Sequence, residues 1–263
     1  MVALAVLAAA THMQSARDDE TARTRAAAAQ PLSGLAHPGE ELMIGAYGGT
    51  PYTYDSDVHF HRKAAPKRDF TVEQVEWEGQ PFKHPVYYGV RVVRWGEGAF
   101  GGMVDFLHSK TISRMAQEVR LKGTLDGQPV PDKARIGDLF DKLEFSHGHN
   151  MLMATGLVRL ASLGPRLQPY VGLGGGVSLP HSEVHIKRND PRRTYEYQMT
   201  GPAAQALAGI EVRLSRISVF LEYKFTGALY SAPLTHSEGS WLPLDLVRQF
   251  GRWWSGAEPP GGF

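Results

Sequence analysis

The sequence of 263 residues contains no cysteine, which excludes disulfides, thiolate metal sites and cysteine nucleophiles. It also lacks any run approaching the roughly 20 apolar residues of a spanning helix, so a membrane protein of this sequence must cross as a β-barrel. Neither sign of charge is in excess: 28 Lys and Arg stand against 27 Asp and Glu, for a formal net charge of +1. No overall field therefore points to nucleic acid or to an acidic partner. The GLGGG run at 172–176 has no Lys-Ser/Thr after it and opens no helix, which excludes a phosphate-binding loop.

What the chain does have is period-two alternation in long segments. In ISVFLEYKFTGAL, Ser218, Phe220, Glu222, Lys224 and Thr226 share one face, and Val219, Leu221, Tyr223 and Phe225 the other. The same division recurs in YYGVRVVRW, AFGGMVDFLHSK, NMLMATGLVRLA and AAQALAGIEVRL. Arg91, Asp105, Arg159, Glu211, Arg213, Glu222 and Lys224 all fall opposite the aliphatic residues. Charge on one face and apolar bulk on the other fits strands whose two faces meet a lumen and lipid. A lipocalin-like barrel or β-sandwich also alternates, with the faces reversed. Strand length and an outer aromatic set of Tyr88, Trp95, Tyr223 and Phe225 argue against that reading.

The links after Trp95, Ala161 and Leu214 are short, whereas those after His61, Lys110, Ile186 and Leu229 are longer, more polar, or both. Small outer-membrane barrels alternate in this way. The predicted fold is all-β: an antiparallel, up-and-down, eight-stranded transmembrane β-barrel with seven identifiable strands and its closing strand missing. Residues 1–40 read as a weak export signal, MVALAVLAAATHMQSA, followed by a disordered linker. Residues 41–230 form the barrel. Residues 231–263 form an external loop, an amphipathic helix over Trp241–Trp254 lying on the membrane surface or against the barrel rim, and an irregular C-terminus. A short helix is predicted around IGDLFDKLEF.

Eleven histidines are unevenly placed. His181, Glu183 and His185 in PHSEVH are spaced by two and so share one side of a strand, as do His59 and His61. Two histidines and a carboxylate can hold a divalent metal, so His181, Glu183 and His185 form a candidate metal set, and all five residues are candidate catalytic groups. Hydrated rim residues against lipid head groups are the plainer reading. His147, His149 and His108 are weaker candidates. The lumen charges read as structural filling.

The phrases YYGVRVVRW, GGMVDFLHSK, LQPYVGLGGGVSLPH, TYEYQMTGPA and SVFLEYKFT, in this order over Glu41–Tyr230, resemble the lipid A oxidase family of outer-membrane barrels, and share features with small barrels of the OmpA type. The resemblance implies oxygen-dependent oxidation of the proximal glucosamine of lipid A to 2-aminogluconate, with molecular oxygen as co-substrate. It implies an outer-membrane location, lipid A or lipopolysaccharide as partner, no nucleic acid, and a monomer. Lys63, Lys67, Arg68 and Lys187 would meet the lipid phosphates. A non-catalytic structural or interaction barrel, or a small passive pore, is the alternative.

Overall fold

The computed structural model describes residues 2–13, 40–62, 67–187, 193–214 and 217–234. In chain order its strands are β1 (Val2–Met13), β2 (Glu41–Tyr52), β3 (Ser56–Arg62), β4 (Arg68–Val75), β5 (Trp77–Glu78), β6 (Tyr88–Trp95), β7 (Phe100–Ser113) and β8 (Glu118–Leu125). There follow β9 (Gln128–Pro129), β10 (Lys133–Arg135), the single turn α1 (Ile136–Leu139), β11 (Phe140–Arg159), β12 (Leu167–Ser178), β13 (His181–Ile186), β14 (Arg193–Tyr197), β15 (Gly201–Leu214) and β16 (Ile217–Ala228). The linker, Lys63, the turn at 215–216 and the Trp241–Trp254 segment lie outside the described residues.

Eight strands pair antiparallel in the order β7, β11, β12, β15, β16, β1, β2, β6 and back to β7. The architecture is thus the all-β antiparallel barrel read from the alternation. The closing strand is not missing, however. Val2–Met13, read as a weak export signal, occupies its place, with Leu4 opposite Tyr223 on one side and Thr50 on the other. A register shift between Val6 and Ala8 changes the parity of β1 midway, as a β-bulge does.

Inside the ring the alternation is obeyed. Arg91, Asp105, Glu222 and Lys224 are buried, while Val90, Val92, Val104, Leu221 and Tyr223 are exposed. Trp95, expected on the outer belt, is a correction: it shares the parity of Arg91 and Val93 and lies inside, with the Arg159 guanidinium carbon 4.1 Å from its ring centroid. Large lumen residues find room over glycines. A Cβ at Gly89 would lie 2.1 Å from the Tyr47 ring, and one at Gly209 would lie 2.5 Å from the Tyr170 ring.

Buried charges must be paired, and here two networks fill the barrel. In the first, Arg91 donates to Glu222 at 2.8 Å, Tyr170 donates to the same carboxylate at 2.9 Å, and Lys224 binds Asp105 and donates to Tyr47 at 2.9 Å. In the second, Glu41 accepts from Arg213 at 2.7 and 2.9 Å and also from Arg159. The cavity left between Arg91, Trp95, Tyr170 and Glu211 is about 20 Å³, room for about one water. Among the described residues, these paired side chains occupy the lumen.

At one end of the ring, strands are joined by short links such as 96–99 and 160–166. At the other end the chain builds a cap. β10, β8, β4 and β3, with β9 beside β8, form a second sheet, and the barrel sheet extends upward through the first turns of β11, with β13 and β14 alongside it. Phe60, Phe70, Val72, Leu121, Phe140, Leu143, Val184 and Ile186 form the core between them. The links after His61 and after Ile186 imply strands that run unbroken to those residues; instead the chain breaks at 53–55 and changes sheets, and breaks again at Leu179-Pro180, where proline offers no N–H to a ladder. The helix around IGDLFDKLEF is confined to Ile136–Leu139, because Phe140 is already extended and buried in the cap core as the first residue of β11.

Candidate functional site

β11 carries two extra residues relative to β7 between Phe145 and His149. Gly148, with φ of 146°, supplies the backbone conformation this requires. The bulge brings His147 out against β13 and β14. There its ring centroid is 5.1 Å from that of His181 and 5.2 Å from that of Tyr195.

The neighbouring side chains follow from register. His181, Glu183 and His185 stand opposite Tyr197, Tyr195 and Arg193 on β14, and Glu183 and His185 stand opposite Glu144 and Lys142 on β11. Paired residues share a face, so the upper sheet turns Val184 and Ile186 to the cap core and this polar set away from it.

A carboxylate, an imidazole and a phenol lie in a row. Glu183 Oε2 is 3.6 Å from His147 Nδ1, and His147 Nε2 is 3.3 Å from the Tyr195 hydroxyl. Glu183 is buried and is held by Arg193 at 2.6 Å and by the Ser146 hydroxyl at 3.1 Å, whereas the His147 side chain is 51% exposed. Such a row can orient an imidazole and pass a proton at an accessible surface. His181 lies beneath it, its ring centroid 4.4 Å from that of Tyr195 and 4.8 Å from that of Tyr197, and its buried Nδ1 has no hydrogen-bond partner among the described residues. Burial, and then the nearby His147 and Arg193, push the His181 pKa down to about 4. Lys142, hydrogen-bonded to Glu144 at 2.9 Å, is raised above its ordinary value by that carboxylate.

A neutral His181 favours the folded state above its ordinary pKa of 6.5, and that contribution is lost as pH falls from there toward about 4. Cap unfolding followed by near-UV circular dichroism should therefore lose stability over this window. In His181→Gln the loss should be visibly flatter; an unchanged pH profile counts against a buried neutral imidazole.

The structure divides the residues singled out in the sequence. His181 and Glu183 belong to the row. His185 turns to Asp141 at 3.1 Å instead, and the donor atoms of His181, Glu183 and His185 do not gather as one metal-ligand set among the described residues. His59 and His61 are not part of the row. They flank Phe60 on β3, so they point away from the cap core, while the row faces away from the same core on the opposite sheet. Face-to-face sheets stand about 10 Å apart, and the two histidine groups lie on opposite outer surfaces. Lys67 is exposed. Arg68, read in the sequence as a lipid phosphate contact, is buried and lies 3.4 Å from Asp126. Lys187 lies 3.5 Å from Asp141.

His147, a weaker candidate by spacing, stands at the centre of the row, whereas Tyr195 and Tyr197 carry no spacing signal in TYEYQ and are found only through their pairing with β13. His149, also in FSHGHN, is buried below the row, contacting Thr111 at 3.2 Å and Tyr230.

Fold and site together define a plugged antiparallel barrel carrying a structured β cap with a histidine–tyrosine–carboxylate row. No protein-family model, no curated protein and no solved structure matches the chain.

Proposed function

We propose that this protein is an outer-membrane β-barrel that works on lipid A or lipopolysaccharide from its cap, and that the reaction is the oxidation implied by the resemblance. The observation that carries the membrane reading is the inversion of the barrel. Ile44, Val90, Val104, Leu152, Leu173, Leu221 and Phe225 are exposed around it, and the charges are inside. Apolar surface continuous over several strands favours a lipid or partner environment over water. The filled lumen supports a reading in which chemistry takes place outside the barrel.

The reaction removes two electrons and two protons from the anomeric C–H and O–H of a proximal sugar whose anomeric hydroxyl is free. Molecular oxygen takes both and becomes hydrogen peroxide, and water opens the resulting lactone to the 2-aminogluconate. In this reading His147, oriented by Glu183, accepts the proton of the anomeric hydroxyl, and Tyr195 orients the sugar. Divalent metal is tested as an added component, since the donors of the row do not gather as one metal-ligand set among the described residues.

The test is purified full chain in detergent, given lipid A lacking the anomeric phosphate, in air with and without divalent metal. The expected result is a lipid gain of one oxygen atom with stoichiometric peroxide. His147→Gln should lower the rate about 100-fold, the scale of general acid–base catalysis, without changing heat-modifiable gel mobility. No mass gain under any metal condition overturns the oxidase reading and leaves the structural barrel.

A further inference from the structure

The far side of the cap carries a second chemistry. His59 and His61 on β3 and Asp69 on β4 place one ligand atom each within 4.8 Å of one another, and all three side chains are exposed. The hairpin register explains the grouping: His61 stands directly opposite Asp69, and His59 opposite Thr71. The carboxylate therefore reaches both rings, with Oδ1 at 3.3 Å from His59 Nε2 and 3.8 Å from His61 Nδ1.

The imidazoles are also oriented. His59 Nδ1 is 3.0 Å from the Thr71 hydroxyl, which directs Nε2 toward Asp69. A hydrogen bond to the remote ring nitrogen is the usual arrangement behind a metal-bound histidine. The two rings lie 6.2 Å apart and nearly parallel, at 18°. On the inner face of the same hairpin, Phe60 and Phe70 stack at 4.9 Å within the cap core, so the backbone that presents the three groups is anchored.

We propose that His59, His61 and Asp69 form a surface site for one divalent transition-metal ion of the Zn²⁺ or Ni²⁺ kind, separate from the row at His147. Two imidazoles and one carboxylate suit these ions; Ca²⁺ and Mg²⁺ select all-oxygen sets. Ligand bonds of about 2.0–2.2 Å need the donors closer than they stand. Three exposed side chains on adjacent strands close that distance by rotation alone. Three protein ligands leave a coordination position open to water or an anion. The ion would also tie β3, the edge strand of its sheet, to β4.

Tag-free full chain, folded in detergent micelles, is titrated calorimetrically with ZnCl₂. One equivalent should bind, and the double variant His61→Gln with Asp69→Asn should weaken that binding at least 100-fold. Thr71→Val should weaken it by about 10-fold, the lower range for a group supporting a ligand. A His147→Gln, His181→Gln variant should bind as the parent does. Every variant is first checked for heat-modifiable mobility, and His59→Gln alone carries the test if the double variant fails that check. Binding retained without these ligands, binding abolished in the His147/His181 variant, or no binding by the parent chain each overturns the proposal.

Discussion

Glu222→Gln should destabilise the barrel by about 3–5 kcal/mol, the range for removing one member of a buried ion pair. Glu222 is fully enclosed, accepts from Arg91 at 2.8 Å and Tyr170 at 2.9 Å, and lies 3.7 Å from Lys224. The amide leaves Arg91 with no carboxylate contact among those described, and Lys224 with Asp105 alone. Pairing the change with Arg91→Met removes the exposed imbalance and should recover most of the loss, because deleting both members of a buried pair costs far less than deleting one. Reversible urea unfolding in phospholipid vesicles measures both. A loss below about 1 kcal/mol for Glu222→Gln would put the lumen pairs on the scale of surface pairs and would contradict a dry, packed interior.

Deleting residues 2–13 should abolish the folded barrel. The strand pairs with β16 from Thr11↔Ile217 to Val2↔Phe225, and with β2 from Met13↔Leu42 to Val2↔Tyr52. Its loss would open two long sheet edges, and unpaired backbone groups in hydrocarbon cost several kcal/mol each. The truncated chain should show no heat-modifiable band. A synthetic peptide of residues 1–14, added during refolding, should restore part of it by adding the missing strand to both edges. A truncated chain that folds like the parent would sink the assignment of β1 as the closing strand. Sequencing the N-terminus of membrane-inserted protein offers an independent check, since a chain processed beyond Met13 cannot be closed by this segment.

The barrel was legible because its interior and its outer surface carry opposite chemistry on alternate residues, as at Arg91 against Val90 and Val92. β1 was not, because VALAVLAAATHM is apolar or small at both parities and carries a bulge at its centre. It therefore reads as the apolar core of an export signal. The cap strands alternate as well as the barrel strands, but periodicity does not say which strand pairs with which. By alternation alone Ser56–Arg62 and His181–Ile186 read as extensions of barrel strands, which puts their histidines at one rim. Their placement on opposite outer surfaces depends on Phe60, Val184 and Ile186 meeting in one core, a long-range fact. His147 was obscured for a local reason: the two-residue bulge at Gly148 removes it from the regular spacing by which Glu183 and His185 were found.

β11 is a single strand of 20 residues from Phe140 to Arg159, about 65 Å at roughly 3.3 Å per residue. In the membrane reading proposed above, only about 9–11 residues are needed to cross a bilayer, and the remainder carries His147 beyond it. In that reading the height of His147 above the lipid is counted in residues. Two residues inserted between His149 and Asn150 would preserve the facing of His147, whereas one residue would turn it toward the cap core. In the membrane reading, how far His147 stands from the bilayer and which way it faces are set by the same strand, the first by its length and the second by whether that length is odd or even.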